Sequence, residues 1–286
     1  MIERIAILGT GLLGTSVGLA LRAAGYTGAI VGWNRSEQGA QTALAMGAID
    51  SISADALATC READVIVLAV PIFATLEWIQ QLAPVLTPDQ LVTDVGSTKG
   101  AIVEAAARLF NLPDSAAFLP GHPMAGKERG GADLGDANLF RGAVWLFSDD
   151  SAAQRSRRGT ELVADWRTWV QAMGSRTIDI DPARHDEMVA WVSHLPQFTA
   201  TALSALLEEE VGDAPELKDV GGRALREMTR LGASPYSMWR DIAHTNTEAI
   251  ERALLKLEQR LAYIRENLRT PGLRDEFERA NRFRKE

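Results

Sequence analysis

The sequence predicts an α/β chain in which a parallel sheet covered by helices is followed by an all-α region. Three observations predict it. From residue 3 to about 179, short β-branched runs alternate with helical stretches. The β-branched runs are apolar without clean alternation, as strands buried on both faces are. Beyond Asp181 the strand-like runs stop and only helical patterns remain. A division into 1–179 and 180–286 follows.

In chain order, strands are expected at Ile5–Leu8, Ala29–Trp33, Val65–Ala69, Leu91–Thr93 and Ala143–Phe147. Helices are expected between them at Leu12–Ala24, Ser36–Met46, Phe73–Leu82 and Lys99–Leu109. Arg157–Met173 adds one more helix and Arg176–Ile180 a last strand. The second region reads as long helices over 182–209, 217–231 and 235–268, with a short one over 273–284. The acidic, proline-containing stretch Glu208–Glu216 separates the first two. Along the third, Ala243, Thr247, Ile250, Leu254, Leu257, Leu261, Ile264 and Leu268 are spaced alternately by four and three. That period suits helices packed along a seam, either within the chain or between two copies of it. A homodimer through the C-terminal helices is the expectation.

Composition narrows the function. The 286 residues carry a net charge of −8, which argues against general affinity for nucleic acid or an anionic membrane. No apolar run reaches membrane-spanning length. The single cysteine, Cys60, cannot form an internal disulfide, so a reducing compartment, the cytoplasm, is expected.

"IAILGTGLLG" runs from an apolar strand into Gly9-Thr10-Gly11-Leu12-Leu13-Gly14 and straight on into a helix. A lone GxGxxG is weak; in this strand–turn–helix context it reads as a dinucleotide-binding, Rossmann-like turn. Gly9 permits the tight turn, Gly11 lets backbone amides approach a pyrophosphate, and Gly14 lets helix and strand pack closely. An acidic residue about 20 positions further on would accept from the ribose hydroxyls of NAD. Here "GWNRSE" places Asn34 at that position, followed by Arg35 and Ser36. Asparagine does not repel a phosphate, and a guanidinium pairs with one. NADP is therefore favoured, with NAD possible; the alternative is an ordinary turn in which Ser36 caps the next helix.

Three further stretches carry candidate chemistry. "TDVGSTKG" follows an apolar strand, so Ser97 should lie at the carboxyl edge of the sheet, where ligands bind in such folds. "GHPMAG" holds His122 between a glycine and a proline, one of only four histidines in the chain. "TRLGASPYSMWRDI" offers Arg230 near a helix end. Each residue also has a plain reading: a turn histidine, a serine capping the helix over Lys99–Leu109, and a surface arginine. Lys99 and Lys127 read as solvated. His185 and His194 stand nine apart and fall on opposite sides of a regular helix, unless Pro196 or another break bends it. His185 reads as structural. His194, Gln197 and Thr201 share a face, which is placed toward the substrate. No cluster with metal-ligand spacing is visible.

Taken together, GTGLLG, DVGSTKG, GHPMAG, HDEMVAWVSHLPQ and TRLGASPYSMWRDI resemble the prephenate/arogenate dehydrogenase family of tyrosine biosynthesis, in the family's order and over almost the whole chain. The resemblance implies an oxidative decarboxylation of a cyclohexadienyl alcohol with hydride transfer to NAD(P). It implies His122 as the base for the ring hydroxyl, Ser97 as its orienting partner and Arg230 as the ligand of a substrate carboxylate. It also implies Gln197 near the substrate, on the face that carries His194, and no metal. The chain departs from the family pattern at Gln197, where SHLPH is common. It departs again before Arg230, where the family usually has a Gly-Phe pair followed by an acidic residue and Ala224, Leu225 and Glu227 stand in their places. Glutamine both donates and accepts, so prephenate and arogenate both stay open. Two rivals remain: a β-hydroxyacid dehydrogenase-like reductase, for which Lys218 is the nearest catalytic lysine, and a non-enzymatic dinucleotide sensor. Neither accounts for GHPMAG.

Overall fold

The computed structural model describes residues 1–149 and 153–285, without the Lys218 side chain. The first region runs β1 (Arg4–Leu8), α1 (Leu12–Ala23), β2 (Ala29–Trp33), α2 (Glu37–Ala45), β3 (Ser51–Ile52) and α3 (Ala56–Arg61). It continues through β4 (Val65–Leu68), α4 (Ile72–Leu82), β5 (Leu91–Asp94), α5 (Gly100–Ala107) and β6 (Ala117–Leu119). These six strands form one parallel sheet in the order β3-β2-β1-β4-β5-β6. The order reverses beside β1, so the carboxyl ends of β1 and β4 flank the crevice in which such sheets bind ligands.

Burial on both faces explains the continuous apolar runs. Ile5 and Ile7 of β1, with Val65 and Val67 of β4, point into one core beside Val17 and Leu21 of α1. Ala6 and Leu8, with Ile66 and Leu68, point into the other beside Ile79 and Leu82 of α4. That second core also takes in Ile242 and Ile250 from the helical region, so the two regions share buried surface. Losing one such Leu or Ile side chain to alanine costs ~2–5 kcal/mol.

The expected continuation of the parallel sheet through Ala143–Phe147 is corrected. After β6 the chain crosses Pro120 into β7 (Gly121–Pro123), which pairs antiparallel with β8 (Val144–Phe147). Beyond α6 (Arg157–Ala172), β9 (Arg176–Asp179) pairs parallel with β8. These three strands make a separate small sheet. Trp145 and Phe147 of β8 and Trp166 of α6 are buried in the first core, which holds the small sheet against the large one. The GHP segment is thus a strand at the junction of two sheets rather than a turn.

The helical region is more broken than its periodicity suggests. α7 (Pro182–Val189) passes through a π-helical turn at Ala190–His194 into α8 (Leu195–Val211). Pro196 has no N–H to continue an i→i−4 ladder, and the Leu195 N–H reaches back five residues to the Ala190 carbonyl instead. α9 (Leu217–Val220) and α10 (Gly222–Thr229) lead into a 3₁₀ turn at Arg230–Ala233. α11 (Tyr236–Thr245) and α12 (Thr247–Glu266) are separated at Asn246, and α13 (Pro271–Lys285) completes the described chain. The seam residues grade from buried at Ile250 to exposed at Leu261 of α12 and at Leu268 just beyond it. Its first turns therefore pack within the chain, and its last turns present apolar side chains outward. No helix among the described residues is long and apolar enough to cross a membrane.

Candidate active site

One cavity of about 610 Å³ opens where the two regions meet. Gly11, Leu12 and Leu13 of the glycine turn line it, with Ala69–Ile72 after β4 and Val95–Ser97 after β5. His122 and Pro123 of β7 close one side; Gln197, Arg230 and Trp239 of the helical region close the other.

The glycine turn is built for close approach. Gly9 has φ +96°, and a Cβ there would lie 2.4 Å from the Ala69 carbonyl oxygen. A Cβ on Gly14 would lie 1.9 Å from the Gly9 oxygen, whereas Gly11 faces open space. No side chain caps the first turn of α1, so its amides are left as donors toward the cavity side. Thr10 is buried and donates its N–H to Asn34 Oδ1 at 3.3 Å, and Asn34 Nδ2 donates to the Ser36 carbonyl at 3.0 Å. Arg35 and Ser36 are exposed, and the Ser36 hydroxyl makes no cap bond to α2.

His122 is held from both ends. A Cβ on Gly121 would meet both the Asp94 carbonyl and Trp145 Nε1 at 2.8 Å, so only glycine fits before the histidine. The Gly121 N–H donates to Asp94 Oδ1 at 3.1 Å, and the Gly121 carbonyl accepts from Lys99 Nζ at 2.8 Å. Lys99 also pairs with Asp94 Oδ2, and both side chains are shut away from solvent. The expectation of a solvated Lys99 is therefore overturned. Burial pulls its ammonium below the ordinary lysine range, and Asp94 opposes that pull. Lys127 is exposed, with its ammonium on the Leu134 carbonyl.

The imidazole of His122 meets His185: His122 Nδ1 and His185 Nε2 are 2.9 Å apart. His185 Nδ1 in turn lies 2.8 Å from Asp186 Oδ1. The same carboxylate accepts from the N–H groups of Lys99 at 2.7 Å and Gly100 at 2.8 Å. Asp186 thus caps α5 from the helical region, the place expected for Ser97. The Ser97 hydroxyl makes no hydrogen bond among the described residues and faces the cavity. Burial, with His185, Lys99 and His194 around it, holds His122 well below the ordinary histidine range, so it is neutral at pH 7.

Not every expected residue reaches the cavity. His194 is 1% exposed and does not line it. Its Nδ1 faces the Asn246 side-chain amide at 3.3 Å and its ring sits edge-on to Trp239. The π turn accounts for this: each of its residues advances less than the ~100° of an α-helical residue, which rotates His194 away from the Gln197 face. Gln197 does line the cavity, but its amide is already engaged. Nε2 donates to the Leu231 carbonyl at 2.7 Å and to Thr201, and Oε1 accepts from Ser234 at 3.1 Å. It fixes the turn that carries Arg230. Arg230 projects into the cavity and is ion-paired with Glu128.

Sequence reasoning missed Lys99, His185, Asp186 and Glu128. An adjacent His-Asp pair in a chain with four histidines was a usable signal for two of them. Among the described residues no cluster could hold a metal ion.

Fold and cavity define a two-domain protein whose parallel-sheet half carries a glycine turn of the dinucleotide-binding kind beside a neutral histidine. Residues 17–178 match the nucleotide-binding domain of prephenate dehydrogenase and residues 181–282 its dimerization domain. The chain belongs to the prephenate dehydrogenase family. It is 32% identical over 247 residues to a prephenate dehydrogenase of Lactococcus lactis subsp. cremoris, covering 86% of this chain and 66% of that protein. The chain thus spans just under two thirds of that relative. Among solved structures, A. aeolicus prephenate dehydrogenase in complex with hydroxyphenyl propionate and NAD+ superposes with TM-score 0.81 at 26% identity, covering 100% of this chain and 96% of that one. Synechocystis arogenate dehydrogenase superposes with TM-score 0.75 at 29% identity, covering 99% of both chains.

Proposed function

We propose that this chain oxidatively decarboxylates prephenate to 4-hydroxyphenylpyruvate, with hydride transfer to NAD(P), on the route to tyrosine. The observation that carries the reading is the convergence of His122, Ser97 and Arg230 on the cavity that the glycine turn opens into. The names of the relatives, and the NAD+ in the A. aeolicus complex, support it.

The nucleotide fits the residues present: open space over Gly11, uncapped amides at the start of α1, and two glycines where any side chain would collide. When bound, a nicotinamide supplies the hydride acceptor for the carbinol carbon. His122 Nε2 accepts the hydroxyl proton as that carbon becomes a carbonyl. Ser97 orients the hydroxyl. The ring carboxylate then leaves as carbon dioxide, its bonding electrons aromatise the ring, and the phenolate oxygen takes the proton back from His122. Arg230 exchanges Glu128 for a substrate carboxylate, a charge-assisted fork that places the ring. The site residues are thus His122 and Ser97 for catalysis, Arg230 for substrate, and Gly9–Gly14 with Asn34–Ser36 for the nucleotide.

Arogenate, giving tyrosine directly, is the second reading. Gln197 favours it as much as prephenate, since a neutral, engaged amide selects for neither a keto nor an ammonium group. Asn34 in place of a carboxylate, with Arg35 beside it, supports NADP over NAD. The apolar residues exposed on the last turns of α12 support a homodimer through the C-terminal helices. The buried lone Cys60 supports a cytoplasmic setting.

The test is an assay at the reduced-nicotinamide absorbance, crossing prephenate and arogenate with NAD and NADP, with His122→Asn alongside. Turnover of one pair, lost in His122→Asn with both ligands still bound, is the expected result. A folded, nucleotide-binding protein that turns over no pair overturns the reading.

A further inference from the structure

The chain uses two histidines and a carboxylate where the proposed chemistry calls for one histidine. His122, His185 and Asp186 form an unbroken line of ring and carboxylate contacts at 2.9 and 2.8 Å, and all three are buried. We infer that Asp186 and His185 are positioning residues that fix the proton of His122 on Nδ1, leaving Nε2 as the lone pair aimed into the cavity.

The argument is one of donors and acceptors. Asp186 only accepts, and its two oxygens already take the N–H groups of Lys99 and Gly100. The nitrogen that His185 turns to it, Nδ1, must therefore carry a hydrogen. In the tautomer with that single hydrogen, His185 offers a lone pair at Nε2, and among the described residues the group facing it is His122 Nδ1. His122 must donate there. Its remaining ring nitrogen, Nε2, meets no protein group among the described residues, and the ring lines the cavity. Each link dictates the next, from a carboxylate in the helical region to a base on the small sheet.

The geometry fixes orientation as well as protonation. Asp186 bonds the first amides of α5, two and three residues beyond Ser97. One carboxylate therefore registers both the histidine and the serine turn. The groups facing the His122 ring include Lys99 from the start of α5 and His194 from the π turn, besides His185. All three oppose charge on His122. A protonated His122 still donates from Nδ1 along the same path, so the line to Asp186 is kept when the proton is taken up.

This inference rests on His122 being the base, and its test separates the two ideas. The first readout needs no turnover. With four histidines in the chain, ¹⁵N-histidine labelling and long-range ¹H–¹⁵N correlation assign each ring tautomer. At pH 7.5 His122 is expected as the Nδ1–H form and His185 likewise. In His185→Phe, which keeps a ring of similar shape, His122 is expected to lose that form and mix toward Nε2–H. The second readout is kinetic: kcat in His185→Phe falls by ~10²-fold or more while KM for substrate and nucleotide stays within about threefold. His185→Gln can accept from His122 and donate to Asp186, and it is expected to recover part of kcat. Circular dichroism and nucleotide binding verify folding of each variant. A wild-type His122 in the Nε2–H form, or as an acceptor from a doubly protonated His185, overturns the inference. So does an unchanged His122 tautomer or unchanged kcat in folded His185→Phe. If the tautomers are as stated but no cyclohexadienyl substrate turns over, the functional reading fails and the relay stands.

Discussion

Lys99→Met isolates the force that holds the His122 cradle. Methionine keeps most of the stem and removes the ammonium. Asp94, 0% exposed, would then keep, among the described residues, only the N–H donors of Gly96 at 2.7 Å and Gly121 at 3.1 Å, and the Gly121 carbonyl would lose its Lys99 donor. A carboxylate stranded without water or counter-ion carries an uncompensated desolvation cost, and breaking a buried pair from one side costs ~3–5 kcal/mol. That is a large share of the ~5–15 kcal/mol by which domains are stable. In this size class each kcal/mol moves Tm by ~2–4 °C, so the fall should be ~6–20 °C. Urea unfolding and calorimetry measure it. Asp94→Asn in the same chain removes the stranded charge and should recover at least half of the loss. A Lys99→Met protein within ~1 kcal/mol of wild type, or a double variant worse than the sum of the two single ones, refutes the reasoning.

Three other outcomes follow from the same geometry. Glu128→Gln releases Arg230 from a partly exposed ion pair, of a kind worth up to ~1 kcal/mol, so KM for the substrate should fall by up to about fivefold; a higher KM counts against the exchange of Glu128 for a substrate carboxylate. Burial pushes His194 down to about 4, against the pull of Asp186, so the unfolded chain takes up its proton first as pH falls. The stability due to His194 is complete above pH 6.5 and is lost by ~3 kcal/mol between pH 6.5 and 4. Because His194 Nε2 has no partner among the described residues, His194→Phe should fold and flatten that slope by about one proton in urea titrations at successive pH values; an unaltered slope excludes it. Asn34→Asp places a carboxylate where a 2′-phosphate would lie, so KM for NADP should rise at least ~10-fold while that for NAD does not rise. Equal effects on the two nucleotides would remove Asn34 from that role.

The sequence by itself determined the order of layers and the glycine turn, because both are local. Continuous apolar runs such as Val65–Leu68 report burial on two faces, and the GTGLLG spacing reports a strand turning into a helix. The sequence also singled out His122, Ser97 and Arg230, which the fold brings to one cavity from three distant parts of the chain. Tertiary structure decided whatever depended on partners far along the chain. That β8 leaves the large sheet follows from its antiparallel pairing with β7, which no periodicity records. That Lys99 is buried follows from Asp94 and Gly121 closing over it, against the usual solvation of lysine. That His194 turns away from the cavity while His185 reaches His122 follows from a π turn before Pro196, which shifts the phase of a helix whose residues otherwise look regular. Periodicity assigns a face only while the helical pitch is constant, and where the pitch changes, packing alone decides which side chains meet.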